Sequence, residues 1–359
     1  MKIKKYFLWA FALLTVFLLV ADAKNALVYS RDALNMCFEI IVPTLFPFFI
    51  CSGILIYSGF CELMAKMFRF CMYPLFRVAP AGSGAFVLGI VSGYPLGAVT
   101  AGELYANNYL SKSEAERLLA FCNNSGPLFI LGSVGIAVYS NIRIGAAMYL
   151  THILAAITVG ILFRFYGRNR HSSPPTRMTS RERSVGEIFD TVLQNSIRSI
   201  LTVCGAVVFF SAASRLIINL LPLSALTDAV VSGIAEFVTG TVKIAALDEA
   251  IMRKLILTSA VVGFAGISVH VQVMAVIARY ELSLLPYILG KILHGIIAAL
   301  YMAVYLHFNP ITEAVFSPSM SRAFASASTF ELICAAFVVS ACIIYTAVRF
   351  VKLRKRKPL

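Results

Sequence analysis

The sequence predicts an all-α polytopic membrane protein, with about eight transmembrane helices of roughly 20 residues each and two re-entrant hairpins in two inverted-topology repeats. Three observations predict it. Of 359 residues, 59% are hydrophobic and 13% are charged, where a soluble domain carries about 25% charged residues. With a mean hydropathy of +0.84, there is too little polar surface to cover a water-soluble globule. Apolar runs long enough to span a bilayer recur along the chain, and one Gly-rich apolar stretch interrupts each half. These features exclude a soluble enzyme, a nucleic-acid reader and a disordered scaffold.

Residues 1–40 form the first unit. Lys2, Lys4 and Lys5 precede an apolar stretch that ends at Ala21-Asp22-Ala23, the pattern of a signal peptide with a small-residue cleavage site. An uncleaved signal anchor over 6–22 is the favoured reading. Either way, residues 24–40 lie outside as an amphipathic segment. The remaining spans are expected at 41–60, 118–138, 144–164, 196–221, 255–278, 284–306 and 328–349. Stretches 84–106 and 229–246 contain Gly84, Gly89, Gly93, Pro95, Gly97 and Gly102 in the first, and Gly233, Glu236 and Gly240 in the second. Broken backbone at membrane depth is tolerated only where protein or a cavity surrounds it, so both read as re-entrant hairpins.

The formal net charge of +14 is distributed as the positive-inside rule requires. The clusters are Lys2 to Lys5, then Arg164, Arg168, Arg170, Arg177, Arg181 and Arg183, then Arg349, Lys352, Arg354, Lys355, Arg356 and Lys357. All three fall on the cytoplasmic side only if both hairpins dip and return or both cross. Both termini are then cytoplasmic, the N-terminus becoming external if 1–23 is removed.

An internal repeat favours dipping. Ser92-Gly93 and Ser232-Gly233 are 140 residues apart, as are Gly126 and Gly266. Thr151-His152-Ile153-Leu154 also matches Gly290-Lys291-Ile292-Leu293 in pattern. Each half runs spanning helix, Gly-containing hairpin, charged connector, broken helix, spanning helix. The units are therefore 41–166 and 188–306, joined by an Arg-rich polar linker at 167–187 and followed by a C-terminal helix and basic tail at 307–359. Inverted repeats with interrupted helices point to a secondary transporter with a midplane site.

The site candidates follow from polar groups placed at membrane depth. Asn123, Asn124 and Ser125 sit mid-helix directly before Gly126-Pro127, where proline removes a backbone donor and frees a carbonyl. Such a break binds a polar solute or a small cation; interhelical packing by hydrogen bonds is the alternative. Ser268, His270 and Gln272 recur at spacing two and share one face only if the backbone is extended there. The hairpin tips, read as Ser92-Gly93-Tyr94-Pro95 and Ser232-Gly233 onward to Glu236-Phe237, let backbone approach a ligand closely. Glu236 is an ion-coupling candidate, or else the partner of Lys243. Lys291 and His294, three residues apart on one helical face, are further ion-coupling candidates, with Lys291 placed near the cytoplasmic end where it can snorkel.

No enzyme signature is present: the chain has no zinc-protease helix motif, nucleophile elbow, P-loop or dinucleotide fingerprint. Without a P-loop, transport must draw on a gradient or a partner. The eight cysteines form no C-x-x-C pair and give no disulfide framework, zinc site or cofactor. No catalytic residue and no metal site are expected.

At Gly93-Tyr94-Pro95-Leu96-Gly97-Ala98, at Ala115 through Cys122-Asn123-Asn124-Ser125-Gly126-Pro127, and at Ser268-Val269-His270-Val271-Gln272, the chain resembles the sporulation integral membrane protein YlbJ (SpoVV) family. That family lies within the nucleoside-recognition Gate-domain group, similar in architecture to concentrative nucleoside transporters. The resemblance covers most of residues 40–306. It implies transport of dipicolinate from the mother cell across the outer forespore membrane during sporulation. A planar dianion calls for half-helix N-termini, amide donors and a cation such as Lys291. Nucleosides or another polar metabolite remain open within the wider group. So do a non-transporting scaffold in spore assembly and a membrane subunit whose energy source lies on another chain. The expected partners are the lipid bilayer, a small-molecule substrate, and a second copy or an accessory membrane protein, with no nucleic acid.

Overall fold

The computed structural model describes residues 2–167 and 184–311. The linker arginines from Arg168 to Arg183, the expected span 328–349 and the basic tail lie outside the described residues. Among the described residues every regular element is helical. Four helices are long and apolar enough to cross a membrane, and a fifth if a bent N-terminal pair counts as one span. The chain is a multi-pass, all-α membrane protein.

The N-terminal pair is α1 (Lys2–Ala21) and α2 (Ala23–Met36). They meet at Asp22 with a bend of 103° between the long apolar segments on either side. The turn follows the change in composition, since α1 is apolar from Tyr6 to Ala21, after its three lysines, while α2 carries Lys24, Arg31 and Asp32. A π-helical stretch, Cys37–Ile41, leads into α3 (Val42–Tyr57), which occupies the expected 41–60 region. The short helices α4 (Phe60–Met67) and α5 (Arg69–Cys71) follow.

The first half then forms a helical hairpin of α6 (Gly82–Ser92) and α7 (Leu96–Ala106). Its tip is Gly93, at φ +83°, followed by a cis Tyr94-Pro95 peptide. α8 (Lys112–Cys122) opens on a capping box in which Ser111 and Glu114 satisfy each other's backbone donors. It stops at Asn123, which is extended at φ −101°, ψ 96°, because Asn, Asn, Ser, Gly and Pro in succession are poor helix formers. The chain resumes as a π-helical segment, Leu128–Val138. The expected span 118–138 is thus two short pieces around an unwound centre. α9 (Ile142–Phe163) completes this half as one continuous span.

The second half repeats the order. α10 (Val185–Ile218) has 34 residues, about 51 Å at the α-helical rise, so it extends well beyond the expected 196–221. A second hairpin joins α11 (Ala225–Ala235) to α12 (Phe237–Ala245) through the single extended residue Glu236. α13 (Ile251–Phe264) and α14 (Gly266–Ala278) form the broken helix. Its break lies at Ala265, in left-handed conformation at φ 72°, a geometry that costs a non-glycine residue roughly 1–2 kcal/mol. α15 (Leu285–Phe308) closes the unit.

α15 shows how such a helix is oriented. Leu289, Ile292, Ile296, Leu300 and Val304 are exposed at helical spacing, while Gly290, Lys291, His294, Gly295 and Ala298 are buried. Large apolar side chains face lipid, and small or polar ones face the bundle, as close helix packing in a bilayer requires. One core unites the halves, drawing Leu118, Phe121 and Ile130 from the first and Val261, Val273 and Tyr287 from the second.

Candidate site at the two helix breaks

Each hairpin tip rests on the break of its own half. A Cβ on Gly93 would lie 3.0 Å from the Gly126 nitrogen, and one on Gly266 would lie 2.9 Å from the Phe237 nitrogen. The first hairpin also straddles the end of α8. A Cβ on Gly89 or Gly97 would stand 1.6 or 2.2 Å from the Cys122 carbonyl oxygen, so both positions demand glycine. Tips and interruptions come together, within helical hairpins of 82–106 and 225–245 where the sequence reading has 84–106 and 229–246.

At the first break, Asn123, Asn124 and Ser125 are all buried. Asn123 Oδ1 accepts from the Ala98 N–H at 3.4 Å, Asn124 Nδ2 donates to the Phe121 carbonyl at 2.8 Å, and the Ser125 N–H donates to His152 Nε2 at 3.2 Å. Asn123 Nδ2, Asn124 Oδ1 and Ser125 Oγ are left without a well-formed partner. In the second half, Ser268 Oγ, His270 Nε2 and Tyr287 Oη are left in the same condition. These six are most of the unpartnered buried side-chain atoms among the described residues. A buried polar atom left wholly unpaired costs roughly 1–3 kcal/mol, and three of the six approach a neighbour, the Ser125 hydroxyl lying beside that of Tyr94. The Asn123 amide lies beside the Tyr287 hydroxyl, and the rings of His270 and Tyr287 are 5.0 Å apart, so groups from both halves share one region.

Ser268, His270 and Gln272 are buried, but not on an extended strand. They lie in helical α14, where residues two apart point to opposite sides. Ser268 and Gln272 therefore share a face that His270 does not. His270 Nδ1 is held at 2.7 Å from the Gly266 carbonyl; since a carbonyl only accepts, Nδ1 carries the hydrogen and Nε2 is free to accept.

Tyr94 links the hairpin to the second half. Its hydroxyl donates to the Val262 carbonyl at 3.2 Å, and its ring meets that of Phe237 at 5.8 Å. Lys291 Nζ stands 5.3 Å from the centre of the Tyr94 ring, within cation–π range. Ser92 bonds Ser52 of α3 at 2.6 Å, joining hairpin and outer helix. Pro95 helps line a small cleft with Tyr57, Glu103 and Asn195.

Three expectations change. Lys291 does not snorkel: it is 0% exposed, held between α8, α9 and the first hairpin because the neighbouring helices enclose that face of α15. Glu236 does not pair with Lys243. As the extended residue before α12, it meets that helix's free N–H groups, accepting from Val238 at 3.0 Å and Thr239 at 2.7 Å. Lys243 instead binds Asp228 at 2.9 Å and Ser232 Oγ at 3.0 Å. Ser232 and Gly233 therefore lie before the tip rather than on it; Ser232 serves that ion pair and Gly233 packs against Gly240 and Val261.

His152 is the residue that sequence reasoning missed. Its ring centre lies 4.3 Å from that of His294, and His294 Nε2 sits 3.0 Å from the His152 carbonyl. Lys291 Nζ is 3.3 Å from His294 Nδ1. The available signal was a histidine in a continuous apolar helix at the position matching the Lys291–His294 helix of the other half.

No family model matches the chain, and no solved structure matches it. Among curated proteins it is similar to the sporulation integral membrane protein YlbJ of Bacillus subtilis (strain 168). The two are 28% identical over 352 residues, covering 88% of this chain and 86% of that one. Similarity of that extent, between two multi-pass chains, supports assignment of this protein to the YlbJ family.

Proposed function

We propose that the protein is a secondary-type transporter of a small polar or anionic metabolite, bound where the hairpin tips meet the two helix breaks. One observation carries this reading: unpartnered buried polar atoms from both halves gather at these breaks, beside a buried lysine that forms no ion pair among the described residues. Packing alone gives no reason to desolvate so many donors and acceptors unpaired, whereas a solute passing through needs them. The repeated order of hairpin, broken helix and long helix is that of transporters built from inverted repeats, and the hairpins are then re-entrant.

An anion fits better than a cation. Glu236 already occupies the N-terminus of α12, so a second anion there would meet a carboxylate. Lys291 and the Asn123 amide, which lies beside the Tyr287 hydroxyl, offer positive charge and a donor at the other tip. A planar dicarboxylate such as dipicolinate matches amide donors plus one ammonium. The relative's description as a sporulation protein agrees with dipicolinate as cargo, moved from the mother cell across the outer forespore membrane. The same reading places both termini in the cytoplasm and aligns the protein with the nucleoside-recognition Gate-domain group.

The test is uptake of labelled dipicolinate by proteoliposomes containing the purified chain. Saturable uptake, lost in Asn124→Ala at unchanged reconstitution, is the expected result. No uptake and no exchange above protein-free vesicles, with nucleosides equally inert, would overturn transport by this chain and leave a structural role in spore-envelope assembly.

A further inference from the structure

We propose that Lys291, His294 and His152 form a buried proton-holding chain that couples entry of a carboxylate substrate to uptake of a proton. The proposal rests on the transporter reading above and adds its energy source.

The hydrogen bonds assign the ring protons. The Ser125 N–H points at His152 Nε2, so that nitrogen is an acceptor and the His152 hydrogen is on Nδ1. The His152 carbonyl faces His294 Nε2 and can only accept, so Nε2 carries the hydrogen of His294. Its Nδ1 is therefore bare and faces Lys291 Nζ. An additional proton on His152 Nε2 would break the bond from Ser125. Within this chain of three, one place remains where a proton is held without losing a bond: between Lys291 Nζ and His294 Nδ1.

The surroundings offer this proton no counter-charge. Facing Lys291 are Cys122 from α8, Tyr94 from the first hairpin, His152 from α9, His270 from α14 and His294 from α15 itself, with the buried Tyr287 one turn earlier on α15. From α13, Ala260, Gly263 and Phe264 pack on Gly295 and bring no titratable group. An ammonium enclosed in this way carries a desolvation penalty that no counter-charge among the described residues offsets. A carboxylate arriving at the breaks would offset that penalty, so anion and proton each favour binding of the other, and linkage makes the effect reciprocal. The chemistry balances simply. The neutral Lys291 amine takes a proton from the aqueous side as the anion enters, becoming an ammonium paired with the carboxylate. Release of the anion on the far side returns the amine to its neutral form and the proton to water. The two charges cross together, reducing the electrostatic cost of passage through a medium of low dielectric.

The histidine chain spans both halves, with His152 on α9 and His294 on α15. It therefore lies where relative movement of the halves would break or make the link between the first break and Lys291.

The experiment uses the full-length protein in proteoliposomes loaded with a fluorescent pH indicator and supplied with labelled dipicolinate. Expected are lumen acidification in proportion to uptake and several-fold faster initial uptake under an inward proton gradient. Lys291→Arg fixes the charge permanently and should abolish acidification per anion taken up. His294→Gln, which keeps a donor for the His152 carbonyl, should lower it in the same sense if the arginine is not accommodated. Uptake by the wild type with no acidification and no response to the gradient would overturn the coupling while leaving the transporter reading intact. Acidification per anion unchanged in both variants would also overturn it. Absence of all uptake and exchange by the wild type would overturn the transporter reading and this proposal together.

Discussion

His152 and His294, 142 residues apart in sequence, meet with ring centroids 4.3 Å apart and planes tilted by 37° at the contact between α9 and α15. Each belongs to the long helix that closes its half, so the two repeats meet through one histidine from each. Both rings are buried and both are tied into hydrogen bonds. This contact connects the unwound segment at Ser125 to Lys291, which is why a change at either end is expected to reach the other.

Asn124→Ala separates binding from folding. The substitution removes one hydrogen bond, from Nδ2 to the Phe121 carbonyl, worth about 0.5–1.5 kcal/mol. It also removes Oδ1, which has no well-formed partner and so contributes no stability to lose. A small fall in melting temperature with a loss of dipicolinate flux of tenfold or more is expected, measured by thermal denaturation in detergent and by vesicle uptake. A large fall in stability with proportionate loss of flux would make Asn124 a packing residue.

Gly89→Ala should be among the most damaging single-methyl additions in the chain. Its Cβ would meet the Cys122 carbonyl oxygen at 1.6 Å, and backbone cannot step aside without moving the first break. Overpacking costs typically 1–3 kcal/mol and occasionally more, so loss of folded protein in size-exclusion profiles is the expected outcome. Gly205→Ala in α10 is the matched control. Nothing lies within 4 Å of its added Cβ, and alanine in a helix interior is favoured by roughly 0.5–1 kcal/mol, so its melting temperature should hold or rise.

Glu236 has a structural role that can be measured apart from any part in coupling. Its carboxylate accepts from Val238 and Thr239 as the cap of α12. Glu236→Ala should destabilise by about 0.5–2 kcal/mol, the ordinary worth of an N-cap, and Glu236→Asp should recover most of it. A thermal melt of the three proteins decides this. If Glu236→Asp melts normally yet transports without proton dependence, the carboxylate has a second role besides capping.

Much of this arrangement was legible in the sequence because it depends on local chemistry. Asn123 to Pro127 cannot continue a helix, and Gly93 with Pro95 cannot avoid a turn, whatever surrounds them. Depth was less legible. Lys291 lies within seven residues of the start of α15, a position from which a free helix would let it reach the interface, and only the packing of α8 and α9 closes that route. The second break was partly hidden. Its left-handed residue is Ala265, a type that prefers helix, so tertiary contact overrides propensity there. Within the expected tip from Ser232 to Phe237, the turn falls at Glu236 rather than at Ser232-Gly233 for a related reason. Those residues suit a turn, but the Asp228–Lys243 pair keeps Ser232 inside the hairpin. His152 stands opposite Lys291 in the repeat pattern but is not singled out by it, because a lone histidine among apolar residues acquires meaning only when its partner from another helix is known.

The bond between Ser52 and Ser92 offers a direct test of whether the first hairpin moves. Their hydroxyl oxygens are 2.6 Å apart across α3 and α6, and both are buried. Substituting both with cysteine places two sulfurs close enough for a bond of about 2.05 Å after modest adjustment. Oxidation would then fix the hairpin to the outer helix. If transport requires the tip to leave the helix break so that the substrate can pass, the oxidised double variant should lose flux and a reductant should restore it. Each single variant should behave alike with or without oxidant. Flux that survives complete cross-linking, verified by the loss of free thiol, would show that the first hairpin is a fixed wall. The moving part would then have to be sought in the second hairpin at Glu236 or in the joint between the two halves.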